Sequence, residues 1–208
     1  MKKNRVIVYD EGAGLEAARA YVTFDYLGMG DRTALLDGQW RKWRTEGRPV
    51  LTAAPTVTPS NFTPRVRPDV IVSLQEMRDL VKSGKGKSGA PVALIDARPE
   101  AQFSGKEAGE GVSRAGHIPG ATNVYWMQHV AGADDPVLRP ADALRALYSK
   151  AGAKPGGQVV TYCRSGVQAS HSYFTAKYLG YDTRLYDGSF LEWSAAKDAP
   201  VETGSAPK

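Results

Sequence analysis

The chain has 208 residues, 42% hydrophobic and 24% charged, which suits a folded globular protein of one large domain or one and a half ordinary ones. Its single cysteine excludes an intrachain disulfide and a cysteine-cluster zinc site, and no second thiol can resolve whatever that sulfur acquires. A net charge of +5 favours small anionic ligands, but Lys and Arg are scattered without a basic helix or an aromatic-basic ladder, so nucleic-acid binding is not expected.

Residues 5–9 read as a strand and 10–14 as a loop. A helix follows over 15–27, closed by Gly28, with a short strand near 34–36. No apolar run reaches the length of a membrane span, so no membrane association is expected. The basic start at 1–5 is followed by only four apolar residues, Val6 to Tyr9, too few for a signal peptide. The expected location is the cytoplasm.

Residues 53–68 carry Pro55, Pro59, Pro64 and Pro68 and read as a linker, too proline-rich for helix or central strand. Near Asp69 a second unit opens. Ser73 is placed to cap a helix, with Glu76 closing a capping box and Leu74, Met77, Leu80 and Val81 on one face. The tract 82–89 reads as a polar loop. Residues 92–95 form a continuous apolar run, as in a buried parallel strand, ending at Asp96-Ala97-Arg98. A glycine-rich loop over 102–114 leads through His117-Ile118-Pro119-Gly120-Ala121 into a strand over 122–125, and 141–150 is an amphipathic helix. A last apolar strand, 159–162, runs into a loop that starts with Cys163, then a helix over 167–179 ended by Gly180. Strands alternating with helices predict an α/β fold with a parallel sheet flanked by helices. Such sheets place their sites at the C-terminal strand ends, where Asp96, Arg98 and Cys163 fall.

A long-period repeat underlies this order. Tyr26-Leu27-Gly28 is echoed by Tyr178-Leu179-Gly180, and the stretch from Leu36-Asp37-Gly38 to Trp43 by that from Tyr186-Asp187-Gly188 to Trp193. The offset of about 150 residues marks a duplicated domain rather than a solenoid. The second copy carries a long segment ahead of its strand-loop-helix unit, and the first carries only a few residues. The expected organisation is therefore a partial first domain over 1–52, the linker 53–68, and a complete domain over 69–208. Export stays open for a chain whose first repeat starts so short.

The loop after Tyr162 is where chemistry is expected. A loop feeding a helix N-terminus aims unpaired N–H groups at one spot, backed by the helix dipole. A thiol at Cys163 is expected to ionise readily there, with Arg164 adding a positive charge beside it. A Walker loop would need Gly-Lys-Ser/Thr at its end, which is absent. A cysteine phosphatase would need Arg six residues after the cysteine, where Ala169 stands.

Cys163-Arg164-Ser165-Gly166-Val167-Gln168, with Gly116-His117-Ile118-Pro119-Gly120-Ala121 upstream and Tyr186 to Trp193 downstream, resembles the tandem-domain rhodaneses, the thiosulfate and 3-mercaptopyruvate sulfurtransferases. The resemblance covers nearly the whole chain. It implies a rhodanese-like fold, a persulfide on the catalytic Cys163, and a first domain that is catalytically silent, because Asp10 stands where the first copy would carry its cysteine. It further implies substrate binding by Arg164, Ser165, Gly166, Val167, Gln168 and Arg98, with Asp96 in support. Arg164 matches the thiosulfate-using members and Ser165 the mercaptopyruvate group, while Gln102 replaces an arginine that many members carry.

The expected activity is thiosulfate sulfurtransferase, passing sulfur from a small anionic donor to cyanide or a thiol acceptor without a metal or organic cofactor. The alternatives are 3-mercaptopyruvate sulfurtransferase and a non-catalytic rhodanese module. Oligomeric state is left open. Among the other residues, His117 reads as part of a structural turn and Asp187 as a turn organiser. Trp126 and Trp193 suit either a pocket wall or the core, His171 packing or surface, and Arg114 a surface charge or a substrate contact.

Overall fold

Apolar runs form the strands near 6–8, 92–95 and 159–160, and glycines follow the helices that end at Tyr26, Ser83 and Tyr178. The computed structural model describes residues 5–59, 61–86 and 89–204. The basic residues 1–4, Ser60 of the linker, 87–88 of the polar tract and the last four residues lie outside that set. Strand β1 (Val6–Val8) pairs in parallel with β2 (Thr33–Leu35), and helix α1 (Leu15–Tyr26) connects them. Helix α2 (Gln39–Thr45) follows. The second unit comprises α3 (Leu74–Ser83), β3 (Val92–Asp96), α4 (Glu100–Phe103) and β4 (Ala121–Asn123). It continues with α5 (Ala141–Lys150), β5 (Gln158–Tyr162), α6 (Val167–Tyr178), β6 (Asp182–Leu185) and α7 (Ser189–Ala195).

The four strands of the second unit form one parallel sheet in the order β4-β3-β5-β6. Both faces are covered. Leu94, Val160 and Tyr162 point into a core shared with Met77, Phe103 and Trp193. Ala93, Ile95 and Val159 point the other way, onto Leu144, Tyr148 and Ala176. This alternation is the period of two in a strand, read on a sheet buried on both sides. Asp96 pairs with Tyr162 in the register, so the Asp96 and Cys163 ends of β3 and β5 lie side by side.

Local signals placed most boundaries. The Ser73–Glu76 capping box is formed in both directions. Helix α3 runs on through Lys82 and Ser83, which were expected in the loop, because Gly84 with φ 65° supplies the stop. β4 starts at Ala121 and ends at Asn123 rather than reaching Tyr125. There the Val124 and Trp126 N–H groups turn onto the carbonyls of Asp96 and Ala97. The expected loop over 102–114 opens with the last two residues of α4.

The same hydrogen bonds recur in the two units. Leu36 N–H donates to the Val8 carbonyl at 2.9 Å, and Tyr186 N–H to Thr161 at 3.0 Å. Trp40 N–H donates to Asp10 at 3.1 Å, and Phe190 N–H to Cys163 at 2.9 Å. Gln39 and Ser189, each after an Asp-Gly pair, hold φ values of 56° and 54°. This is a costly region for side chains other than Gly. Each is held by its own side-chain bonds: Gln39 Oε1 accepts from Asp10 N–H at 3.1 Å, and Ser189 Oγ from Cys163 N–H at 3.2 Å.

The units meet along α1 and α6. Tyr21 packs edge-on to Phe174 at 4.9 Å. Asp25, fully buried, accepts from Tyr173 Oη and Lys177 Nζ, each at 2.6 Å, and from Arg67 Nη1 at 2.8 Å. Removing water from a carboxylate is tolerated here because three donors replace it. Arg65 and Arg67 at the end of the proline-rich linker also donate backbone N–H groups to Leu27 and Tyr26, docking the linker on the end of α1.

Behind α6 lies a buried histidine pair. His129 Nδ1 is 3.3 Å from His171 Nδ1, and Tyr148 Oη is 3.3 Å from His129 Nε2 while donating to the Ser172 carbonyl at 2.9 Å. Burial lowers both histidines, His129 well below the ordinary range and His171 to about 4. The unfolded chain therefore takes up protons that the folded chain refuses. The stability this pair allows is complete above about pH 6.5 and is lost as pH falls toward 4. His171 alone accounts for roughly 3 kcal/mol over that window, at about 1.4 kcal/mol per pH unit. Urea unfolding from pH 7 to pH 4.5 is expected to show this fall, and His171→Gln is expected to flatten it. A wild-type profile flat over that range would contradict a neutral buried pair.

Candidate active site

Cys163 follows β5 directly, and the loop 163–166 turns into α6 at Gly166, whose φ of 89° needs a residue without a side chain. Gly166 N–H points at the sulfur, 3.1 Å from Sγ. A Cβ built on Gly166 would lie 2.4 Å from Asp187 Oδ1, so glycine is also required by space. Thr161 Oγ1 donates to the Ala169 carbonyl at 3.1 Å, tying the strand to the first turn of α6. The cysteine is 1% exposed and packs with Tyr21, Ala97, Trp126 and Tyr173.

Burial opposes the expected ready ionisation of the thiol. It pushes the Cys163 thiol above its ordinary value, while the N–H groups of Ala169, Ser165 and Gly166 pull it down without prevailing. The loop donors are present as expected. What the sequence does not reveal is that Tyr21 and Val22 of α1 share the buried cluster that contains Cys163.

Arg164 is also not where its position in the chain suggests. Its Nη1 donates to the Glu110 carbonyl at 3.0 Å and lies 3.4 Å from Glu110 Oε2, directed toward the glycine-rich loop rather than to the sulfur. Ser165 and Val167 are exposed at the rim, Gln168 is half-buried and Gly166 is buried. Of these residues Gly166 donates its N–H to the sulfur.

Arg98 was expected to bind substrate, and the structure places it out of a ligand's reach. Its side chain and that of Asp96 are both fully buried. Its Nε donates to Asp96 Oδ1 at 3.0 Å, its Nη2 to Asp96 Oδ2 at 2.6 Å and to the Gly116 carbonyl at 2.8 Å. The guanidinium lies 4.1 Å from the centre of the Phe190 ring. The pair fastens the end of β3 to the turn before His117.

That turn is itself structural. His117 Nδ1 is 2.9 Å from the Phe103 carbonyl, and its ring stacks on Phe103 at 3.8 Å. Trp126 and Trp193 are buried, and Trp193 Nε1 donates to Pro200 at 2.7 Å. Arg114 caps the end of α7 through the carbonyls of Ser194 and Ala196, at 2.9 and 2.8 Å, and is not a substrate contact here.

Two contacts at the site were not singled out from the sequence. Ser189 receives the Cys163 N–H and donates to the Tyr186 carbonyl at 2.9 Å. Arg19 reaches across from α1 to pair with Asp187 through both carboxylate oxygens. Only the repeat, which sets Gln39 against Ser189, could have pointed to the first; nothing local marks the second.

A model of the rhodanese-like domain matches residues 73–196. The sulfur carrier protein TtuD of Thermus thermophilus is 34% identical over 96% of this chain and 71% of its own length. A Mycobacterium bovis protein named putative thiosulfate sulfurtransferase 1 is 34% identical, over 98% of this chain and 73% of its own. A Pseudomonas aeruginosa protein named probable 3-mercaptopyruvate sulfurtransferase is 32% identical, over 97% and 68%. In fold the chain is similar to the anaerobic ergothioneine biosynthesis enzyme from Chlorobium limicola, with a TM-score of 0.79 at 24% identity, covering 98% of this chain and 52% of that one. The chain thus spans about half the length of that solved structure. The family match runs from the Ser73 cap to the end of α7 and takes in more than half of the residues: the chain belongs to the rhodanese family.

Proposed function

We propose that this protein is a sulfurtransferase that moves sulfane sulfur from thiosulfate to cyanide or a thiol through a persulfide on Cys163. The observation that carries this is the Gly166 N–H aimed at Sγ from 3.1 Å, in the turn that opens α6. The Cys163 thiolate attacks the outer sulfur of thiosulfate, a new S–S bond forms, and the old one breaks with its electron pair leaving on sulfite. Cyanide then attacks the outer sulfur of the persulfide, and thiocyanate departs while the thiolate is restored. Both steps balance without an external oxidant or reductant. The loop N–H groups stabilise the anionic sulfur before and after transfer, as an oxyanion hole does for oxygen. Arg164, Ser165, Gly166, Val167 and Gln168 frame the entering anion, with Asp96 and Arg98 holding the frame from behind. Residues 69–208 are the catalytic unit, and 1–52 a silent one with Asp10 in the place of the cysteine. The names of the curated relatives support sulfur transfer as the chemistry.

A second donor, 3-mercaptopyruvate, is favoured by Ser165, exposed beside the cysteine, and by the name of the Pseudomonas relative. Cyanide-dependent thiocyanate release with each donor decides between them. Turnover is expected with both, faster with thiosulfate; turnover with mercaptopyruvate alone would overturn the donor assignment, and none with either would overturn the enzyme. Arg164→Gly is expected to lower kcat/KM for thiosulfate about threefold to tenfold and to spare mercaptopyruvate. The effect is that of one partly exposed charge already shared with Glu110. Equal losses with both donors would show that Arg164 does not set donor choice.

A further inference from the structure

An anionic sulfur meeting an anionic donor needs a cation, and the arginine of the loop is engaged with Glu110. The other arginine at the site comes from α1. Arg19 Nη2 donates to Asp187 Oδ2 at 3.1 Å and Nη1 bonds Oδ1 of the same carboxylate. The pair sits on the turn that holds the sulfur: a Cβ built on Gly166 would lie 3.1 Å from Arg19 Nη1. Both side chains are about two-fifths exposed, and both line a groove of about 480 Å³ between α1, residues 68–76 and the Asp187 turn. Arg19 is the cation on the wall of that groove, which also carries the carboxylates of Asp187 and Glu76.

We infer that Arg19 is the positioning residue that supplies positive charge to the Cys163 sulfur and to the donor anion, with Asp187 as its resting counter-ion. This rests on the sulfur-transfer reading given above and assigns the cation of that site to the opposite unit. The Arg19 guanidinium is held above its ordinary value by the hydrogen bond to Asp187, and further by attraction to Asp187 and to the Cys163 sulfur. The other charged groups around the pair are committed, Glu76 of the groove to Arg184 and Glu192 of α7 to the Tyr186 hydroxyl. Asp96 is locked on Arg98 at the end of β3, and Asp25 on Arg67 and Lys177 between α1 and α6. Tyr21 of α1 is pushed up to about 12 by burial, and Tyr173 of α6 is raised further, so both stay neutral. His171 is buried neutral on the far side of α6. Arg19 and Asp187 are left as the adjustable pair.

A bridge that only holds the fold and a bridge that sets charge predict different signs. If it only holds the fold, Arg19→Met and Asp187→Asn break the same contact and affect the thiol alike. If it sets charge, Arg19→Met leaves an unbalanced carboxylate beside the sulfur, and Asp187→Asn leaves an unbalanced guanidinium. The measurement is the midpoint of the pH profile for iodoacetamide alkylation of Cys163, which reports ionisation apart from access. The midpoint is expected to rise in Arg19→Met and to fall in Asp187→Asn. At a fixed pH below the midpoint, each change is worth about threefold to tenfold in rate, the size of one partly screened charge. Arg19→Lys is expected to stay near wild type, and Asp187→Asn to lower KM for thiosulfate. Shifts of the same sign in both variants, or none in either, would overturn the inference. If Arg19→Met does not fold by circular dichroism, the sign in Asp187→Asn decides alone. Sulfur uptake from thiosulfate, followed separately by mass, keeps the two readings distinct. Opposite shifts without uptake leave Arg19 assigned and remove the function; uptake with like shifts does the reverse.

Discussion

Cys163→Ser is expected to fold normally and to transfer no sulfur from any donor. The hydroxyl is smaller than the thiol but can still accept the Gly166 N–H, and the Cys163 N–H to Ser189 bond is made by the backbone. The buried cluster around the residue loses little volume, so the cost in stability is about 1 kcal/mol. An alkoxide cannot stand in for the thiolate, because a serine hydroxyl is not ionised near neutral pH and forms no stable bond to sulfane sulfur. Thiocyanate production by the variant at the level of the uncatalysed reaction is the expected result. Residual turnover, with folding intact by circular dichroism, would place the nucleophile elsewhere. The chain has no second cysteine to offer.

Asp96→Asn is expected to cost about 3–5 kcal/mol of stability, the largest such effect among the site residues. The substitution leaves the Arg98 guanidinium charged, fully buried and without a carboxylate, while its other bonds hold it in place. Arg98→Met leaves the mirror problem at Asp96 and is expected to cost a similar amount. The double variant Asp96→Asn/Arg98→Met is expected to lose clearly less than the sum of the two, because each single change strands the other's charge. Urea unfolding of the three variants measures this directly. Additive losses would mean that the pair does not act as a unit, and that the end of β3 is held by the Gly116 carbonyl and Phe190 instead.

What could be read from the sequence is what is settled by neighbours along the chain. The Ser73–Glu76 box needs residues three apart, the glycines at 28 and 180 end helices one turn away, and the run over 92–95 is a strand because it is apolar throughout. The loop at Cys163 was legible for the same reason, since the strand, the glycine and the helix that shape it are contiguous. The repeat read from chain order sets Asp10 against Cys163, and similar backbone hydrogen bonds are made at both positions.

What escaped are the contacts made between distant segments. Arg164 was assigned to the sulfur because it is adjacent in sequence, but Glu110, 54 positions away, holds it. The cysteine was expected to ionise readily because its donors are local, whereas the burial that opposes them comes in part from α1. Arg98 was read as a ligand-binding cation, yet the Asp two residues before it and the Gly116 carbonyl use its charge inside the core. The Arg19–Asp187 pair spans 168 positions and carries no motif. Each of these depends on which surfaces meet, and one sequence holds little record of that.

In the proposed mechanism sulfur resides on Cys163 between donor and acceptor. Intact-mass spectrometry of the full chain after brief exposure to thiosulfate, followed by peptide mapping, tests it most directly. One added sulfur atom is expected, located on the peptide containing Cys163 and removed on addition of cyanide as thiocyanate appears. An unchanged mass in a protein that still makes thiocyanate, or an added sulfur that cyanide does not remove, would rule out a Cys163 persulfide as the intermediate.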